Sequence, residues 1–397
     1  MTTQRHPDGP VLIVGSGLAG WTAAREFRKL DTTTAVLMVT NDNGDFYPKP
    51  ALSNALAQGK SAQQLVTTAA EKMAATVGVS LMPQTAVTGI DLPNQQIMTS
   101  KGNFAYRQLV LATGAQAIRL NFAGDAAHEV LSVNSLDDYA AFRQQLPAQA
   151  RVLIMGAGLI GCEFANDLAA SGHKVQIVDP NNVPLALLLP PGASTELQAG
   201  LSELGVQWHL GTSVAAINRT NNSTDADLSV QLANGTTLAV DVVLSAIGLR
   251  ADTALAKAAG ITTDRGILVN AALQTSAAHV YALGDNTQYA SDSLGGGPAN
   301  AARTLPYVMP IMNAARALAQ TLNGTETEVK FPVMPVTIKT PALPLVVAAA
   351  APDATGTWQA KETGIWHFVD ADARVLGFVL SGAQTSRRAE QIKLLAL

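Results

Sequence analysis

The chain has 397 residues, 48% hydrophobic and 14% charged, with a formal net charge of −4. This bounds it to two or three well-buried globular domains and excludes a nucleic-acid surface, because no long basic run occurs. A single cysteine excludes an internal disulfide, the six histidines lack metal-ligand spacing, and no 18-residue apolar run or signal-peptide core is present, so a soluble, cytoplasmic, metal-free protein is expected.

Val11–Val14 is a short apolar strand, followed by Gly15, Gly17 and Gly20 at Gly-x-Gly-x-x-Gly spacing. Residues 19–30 then read as a helix, with Ala23, Ala24, Phe27 and Leu30 on one face. Gly15 permits the tight turn, Gly17 lets backbone approach a pyrophosphate, and Gly20 lets helix pack on strand. The helix N-terminus offers N–H groups and positive potential to phosphates. The strand at 35–40 runs into Asn41 and Asp42 with no acid at its end. At 41–53, two prolines bracket Lys49 in an ordered turn. That lysine either points into the nucleotide site or is solvated. A helix is expected at 51–58 and another at 61–75. Strands are expected at 79–82, 86–90, 96–99 and 105–106, the last two as a hairpin. Residues 109–114, L-V-L-A-T-G, form a buried strand ending in a glycine turn.

The fingerprint recurs at 151–161, with Gly156, Gly158 and Gly161 in register, a helix through 162–170 and a strand at 174–178 ending at Asp179. An acid there accepts hydrogen bonds from both ribose hydroxyls of NAD and repels a 2′-phosphate. Two fingerprints with one such acid point to two different dinucleotides, FAD in the first and NADH in the second. A duplicated scaffold with one dead site is the alternative. Strands follow at 204–210 and 212–218. After a polar loop at 221–227 comes a hairpin of 228–232 and 236–240 around Asn234-Gly235. Residues 242–248, V-V-L-S-A-I-G, echo 109–114. A strand at 279–285 ends in Gly-Asp. After a loop at 286–305, residues 306–323 read as a helix whose positive end suits the N1/O2 edge of a flavin. From Phe331 onward prolines punctuate short β-rich runs. A hairpin of 365–370 and 375–381 and a terminal helix at 386–395 complete a small domain, placed on one face of the flavin.

These motifs resemble the pyridine nucleotide–disulfide oxidoreductase superfamily, in its branch without a redox disulfide. Within it the chain is most similar to the bacterial reductases of rubredoxin. The two glycine motifs and the L-V-L-A-T-G and L-G-D strands carry the broad likeness. Tyr47-Pro48-Lys49-Pro50, residues 158–167 (G-L-I-G-C-E-F-A-N-D), 307–309 and 335–345 (P-V-T-I-K-T-P-A-L-P-L) carry the narrow one. The implied fold is α/β: two Rossmann-like domains and a small α+β C-terminal domain. The partition is 1–118 and 244–329 for FAD, 119–243 for NAD and 330–397 for the C-terminal domain. The implied chemistry is hydride transfer from NADH to FAD N5, then single electrons to rubredoxin, a small iron protein. With no Cys pair after Gly20, electrons must leave from the flavin.

Residue by residue, the resemblance implies FAD binding by Gly15, Ser16, Gly17, Leu18, Ala19, Gly20, Thr40, Asn41, Lys49, Pro50, Val87, Thr113, Gly114, Asp285, Tyr307, Val308 and Lys339. Asp285 takes the ribityl chain, and Lys339 sits at the pyrimidine end. Backbone, or the side chains of Thr40 and Asn41, stand in for a ribose-binding Glu that is missing at 40–42. NAD binding falls to Gly156, Gly158, Leu159, Ile160, Gly161, Glu163, Asp179 and Gly248. Lys49 and Glu163 are the expected catalytic residues, paired by a salt bridge beside flavin N5; separate solvation of each is the alternative. Cys162 is expected to pack. The loop at 291–304 is longer than usual in the family. Other readings are a ferredoxin or other acceptor on the same fold, or a non-catalytic FAD/NAD sensor. A monomer with no nucleic-acid or membrane partner is expected.

Overall fold

A computed structural model describes residues 8–220, 226–294, 302–351 and 353–395. Most of the polar loop at 221–227, and the middle of the long loop at 291–304, lie outside the described residues. The chain packs into two compact units. The first comprises 1–48, 66–116 and 249–334; the second comprises 49–65, 117–248 and 335–397.

The first unit is built on a five-stranded parallel sheet in the spatial order Val280–Ala282, Gln108–Leu111, Val11–Val14, Val36–Val39, Ser80–Met82. Val11–Val14 is buried on both faces, as its unbroken apolar run requires. The helix Leu18–Arg28 starts at Gly17 and packs against a second helix, Val308–Leu322. Pro310 falls in the first turn of the latter, where its missing N–H costs nothing. Val87–Asp91, Gln96–Thr99 and Gly102–Ala105 form an antiparallel sheet. The second strand of the hairpin expected at 96–99 and 105–106 thus starts earlier, since Gly102 already pairs with Thr99. The single helix expected at 61–75 is two, Ala62–Leu65 and Ala70–Val77. The helix expected at 51–58 is a 3₁₀ turn, Lys49–Asn54.

The second unit repeats the plan with four parallel strands ordered Gln207–Leu210, Lys174–Asp179, Arg151–Met155, Val242–Ser245. Its helix Leu159–Ala170 starts at Gly158. A three-stranded antiparallel sheet spans 214–240. A five-stranded antiparallel sheet spans 336–381, closed by the short helix Arg388–Ile392. The sequence partition set residues 330–397 apart. Here Ile338, Leu345, Val347, Trp366 and Val379 share one apolar core with Val152, Ile154, Ile177, Leu197 and Leu201. The partition also kept 49–65 with the FAD segment. In the structure Leu56 packs on that same second-unit core.

Candidate functional site

In the first unit the glycine loop has the geometry its spacing predicts. Gly15 has φ +107°, and a Cβ on it would stand 2.3 Å from the Ala112 carbonyl oxygen. A Cβ on Gly20 would meet the Gly15 carbonyl oxygen at 2.0 Å. Gly17 faces open space: nothing lies within 4 Å of its missing Cβ. No side chain caps the helix at Gly17 and no acid occupies its first turn. Its N–H groups and positive potential therefore remain for an anion. The turns that follow the neighbouring strands converge here. Asn286 is fully buried and donates through Nδ2 to the Leu111 carbonyl (3.0 Å) and to Thr113 Oγ1 (3.1 Å). Gly284, with φ +96°, leaves only 2.8 Å between a Cβ and the Cβ of Ala19. Ala19, Thr113, Gly114 and Asp285 thus gather at the carboxyl ends of adjacent parallel strands, the edge where such sheets bind ligands.

No Glu follows the second strand of this unit, but a carboxylate just past it reaches the glycine loop. Asp42 Oδ1 accepts hydrogen bonds from Ser16 Oγ (2.8 Å), Thr40 Oγ1 (2.7 Å) and Gly44 N (2.9 Å). The bend after Thr40 returns the carboxylate to the glycine loop. Sequence reading looked for the acid at the strand end and named Thr40 and Asn41 instead. Thr40 is buried, its Oγ1 3.0 Å from Ser16 Oγ, whereas Asn41 is exposed. Thr85 N donates to the Thr40 carbonyl (2.8 Å), which brings the segment leading to Val87 beside the loop. Tyr307 and Val308 stand exposed at the start of their helix.

The second unit reproduces the loop. Gly156 has φ +103°, a Cβ on Gly161 would lie 1.9 Å from the Gly156 carbonyl oxygen, and Gly158 is open. A Cβ on Gly156 would meet the Ala246 carbonyl oxygen at 2.7 Å, and Gly248 follows at φ +113°. Leu159 and Ile160 open the helix, uncapped by any side chain and without an acid in its first turn. Asp179 ends its strand as expected. Its Oδ2 accepts from Ala157 N in the glycine loop (2.7 Å), and its Oδ1 accepts from Asn181 N (2.7 Å) and Asn181 Nδ2 (2.8 Å). Cys162 is fully buried, its Sγ 3.5 Å from the Ala157 carbonyl oxygen. Burial, with Asp179 and Glu163 nearby, pushes its thiol pKa far up, which makes it inert packing.

Lys49, Pro50 and Lys339, expected around FAD, all belong to this second unit. The ion pair on Glu163 corrects the expectation: it is with Lys339, where sequence reading placed Lys49. Glu163 is 1% exposed. Its Oε1 accepts from Lys339 N (2.9 Å), and its Oε2 accepts from Ser53 Oγ (2.5 Å) and from the Lys339 ammonium. Lys339 Nζ also donates to Ser53 Oγ (3.2 Å). A buried carboxylate is costly unless a cation pairs with it and hydrogen bonds satisfy its remaining lone pairs. Lys339 supplies both its backbone N–H and its ammonium, which fixes the geometry twice over. Lys49 Nζ donates to Asn134 Oδ1 (2.9 Å). Ser53 carried no motif, and only its place one helical turn after Pro50 could have drawn attention.

The comparisons with known proteins agree with this layout. Residues 9–319 match the model for the pyridine nucleotide-disulphide oxidoreductase family. The chain belongs to that family. Residues 328–395 match a rubredoxin binding C-terminal domain. The chain is 45% identical over 376 residues to a rubredoxin-NAD(+) reductase of Alcanivorax borkumensis, covering 94% of this chain and 95% of that protein. It is 38% identical to a nitric oxide reductase FlRd-NAD(+) reductase of Aeromonas salmonicida, covering 95% and 94%. Among solved structures it resembles a covalent putidaredoxin reductase–putidaredoxin complex, with TM-score 0.86 and 25% identity over 98% of this chain and 94% of that one. As a member of this family the chain is an FAD-dependent oxidoreductase, with NADH as reductant. The two open glycine cradles fit those two dinucleotides. Among the described residues no cluster of His, Cys, Asp and Glu could hold a metal, and no helix is long and apolar enough to cross a membrane.

Proposed function

We propose that this chain takes electrons from NADH through FAD and delivers them to a rubredoxin. The observation that carries the reading is the C-terminal match at 328–395 on a chain with two open dinucleotide loops and one inert cysteine. Bound FAD converts the two-electron hydride of NADH into the single electrons an iron carrier accepts. The chain's own residues do the rest. The loop of Gly15, Gly17 and Gly20 holds the FAD pyrophosphate, with Asp42 and Ser16 at the adenosine side. The loop of Gly156, Gly158 and Gly161 holds that of NADH, with Asp179 on the ribose. Glu163 and Ser53 fix the Lys339 ammonium, whose positive charge would favour electron uptake by a flavin held beside it. A cytoplasmic monomer fits the mild charge and the soluble carrier.

The test is a side-by-side assay with NADH and purified rubredoxin or ferredoxin. Turnover with rubredoxin at least tenfold above ferredoxin is expected. Preference for ferredoxin would move the chain to the carriers of the putidaredoxin type. Slow flavin bleaching by NADH, with no carrier reduced, would leave a dinucleotide-binding sensor.

A further inference from the structure

The helix Leu159–Ala170 carries three polar side chains on one buried face: Glu163, Asn166 and Asp167, exposed by 1%, 4% and 3%. Their i, i+3, i+4 spacing puts them one above the other. The opposite side is apolar, with Phe164, Ala165 and Leu168 in the core. A buried polar face persists only where partners meet it. Two distant segments do so. Residues 339–342 supply Lys339 to Glu163, and Ala342 N to Asn166 Oδ1 (2.9 Å). The segment after the 3₁₀ turn supplies Leu56 N to Asp167 Oδ2 (2.8 Å) and Ala57 N to Asp167 Oδ1 (3.0 Å).

These contacts form a chain of support. Ser53 is itself 2% exposed and lies three residues before Leu56. Its hydroxyl donates to Glu163 and accepts from Lys339, so it closes a ring with the ion pair. The position of that hydroxyl depends on the backbone of 53–57, and Asp167 grips that backbone by its last two N–H groups. Tyr139 Oη grips the far end through the Lys60 carbonyl (3.0 Å). Burial raises the Asp167 pKa, against the opposing pull of the backbone N–H groups and the Lys339 charge.

We propose that Asp167 is a positioning residue: by holding Leu56 and Ala57 it seats Ser53 on Glu163, and through that pair it fixes the Lys339 ammonium. The functional half of this inference rests on the reading of Lys339 as a flavin-side charge. The positional half does not.

The test uses the full chain as purified, with carbon-13 at lysine Cε and the Lys339 signal assigned by its loss in Lys339→Arg. Asp167→Asn preserves shape but turns an amide NH₂ toward one of the two N–H donors. It is expected to move the Lys339 signal toward that of exposed lysines, in the same direction as Ser53→Ala. The double variant is expected to move it no further than the larger single, because both act on one path. Flavin bleaching by NADH should slow roughly tenfold or more in Asp167→Asn, with the KM for NADH within about twofold. An unmoved Lys339 signal in Asp167→Asn overturns the proposal, whatever the melting temperature does. Shifts that simply add in the double variant overturn it as well. A moved signal with unchanged bleaching supports the positioning and counts against the flavin-side role of Lys339.

Discussion

The two glycine loops match in the backbone angles of their turns, yet the acids beside them are tethered differently. Gly15 and Gly156 share φ of +107° and +103°, and the helices behind them begin at glycines with matching extended backbone. In the second unit, Asp179 is 8% exposed and bonds the loop backbone directly at Ala157 N. In the first, Asp42 is exposed and reaches the loop through a side chain, Ser16 Oγ. The difference teaches that three glycines set the turn through the backbone alone, while the acid beside it can be tethered to that turn either through backbone or through a side chain.

The sharpest way to break that symmetry uses the open glycines. Gly17 and Gly158 meet nothing within 4 Å. Alanine at either position costs the fold little, with the ligand-free melting temperature within about 2 °C of that of the ligand-free parent. Each should still remove one ligand. Gly17→Ala should purify colourless, with FAD affinity down at least a hundredfold. Gly158→Ala should stay yellow and lose NADH saturation to a similar degree. Absorbance at the flavin band and NADH titration distinguish the two. If both variants lost FAD, the assignment of one dinucleotide to each loop would be wrong.

A second break concerns the lysines. Lys339→Met leaves a carboxylate that is 1% exposed without its cation, which costs about 3 kcal/mol even allowing for the partial exposure of Lys339. Lys49→Met removes, among its contacts, a hydrogen bond to Asn134, and should leave the Glu163–Lys339 pair intact. Pairing Lys339→Met with Glu163→Leu should recover most of the loss. Denaturant melts of the three variants read this directly. The flavin midpoint potential should also fall in Lys339→Met, and an unchanged potential would place the charge too far away.

Much of this was legible in the amino-acid order. Both cradles, their following strands and Asp179 follow from local pattern, because turn and strand depend on residues within a few positions. The pairing of Glu163 was not legible. Its partner lies 176 positions away, and Lys49 and Lys339 are equal candidates until the fold brings one of them in. Nor was the shared core of the C-terminal sheet with the second fingerprint, since Ile338 and Trp366 read as ordinary apolar positions. Asp42 was visible just past the strand, but its return to Ser16 depends on a two-residue bend, which strand-end counting does not see. Asn166 and Asp167 sat in plain view within a motif, but a polar helix face reads as solvated until burial is known.

A third experiment sharpens the comparison of the acids. Asp179→Ser with Asn181→Arg removes the charge that repels a 2′-phosphate and supplies one that attracts it. The kcat/KM for NADH should fall roughly ten- to hundredfold and the preference for NADPH should rise. Asp42→Ser should weaken FAD by less, about tenfold, because an exposed carboxylate with one loop contact contributes less than a buried one. Equal losses at the two sites would remove the distinction between tethering through backbone and through a hydroxyl.

The smallest expected effect separates two carboxylates within the second unit by the sign of their pH dependence. Asp167 is pushed above the ordinary carboxylate range by burial, only partly opposed by the N–H groups of Ala57 and Leu56. Asp241 is also pushed up by burial, but the hydrogen bonds and charge of Arg151 bring it below that range. A raised folded pKa means the folded chain holds its proton longer than the unfolded chain. The stability it contributes is present below the unfolded value, near 4, and is lost as pH rises through the folded one. A lowered folded pKa gives the reverse: stability is present above the unfolded value and lost as pH falls through the folded one. Asparagine at either position removes the proton linkage along with whatever hydrogen bonds change. The difference in melting temperature, variant minus parent, should therefore climb with pH for Asp167→Asn, from about pH 4 upward. It should decline with pH for Asp241→Asn, mostly below about pH 4. The absolute offsets carry the lost hydrogen bonds and decide nothing, and only the slopes are read. Parallel slopes would show that Asp167 ionises as freely as a paired surface acid, and that its N–H donors and the Lys339 charge fully offset its burial.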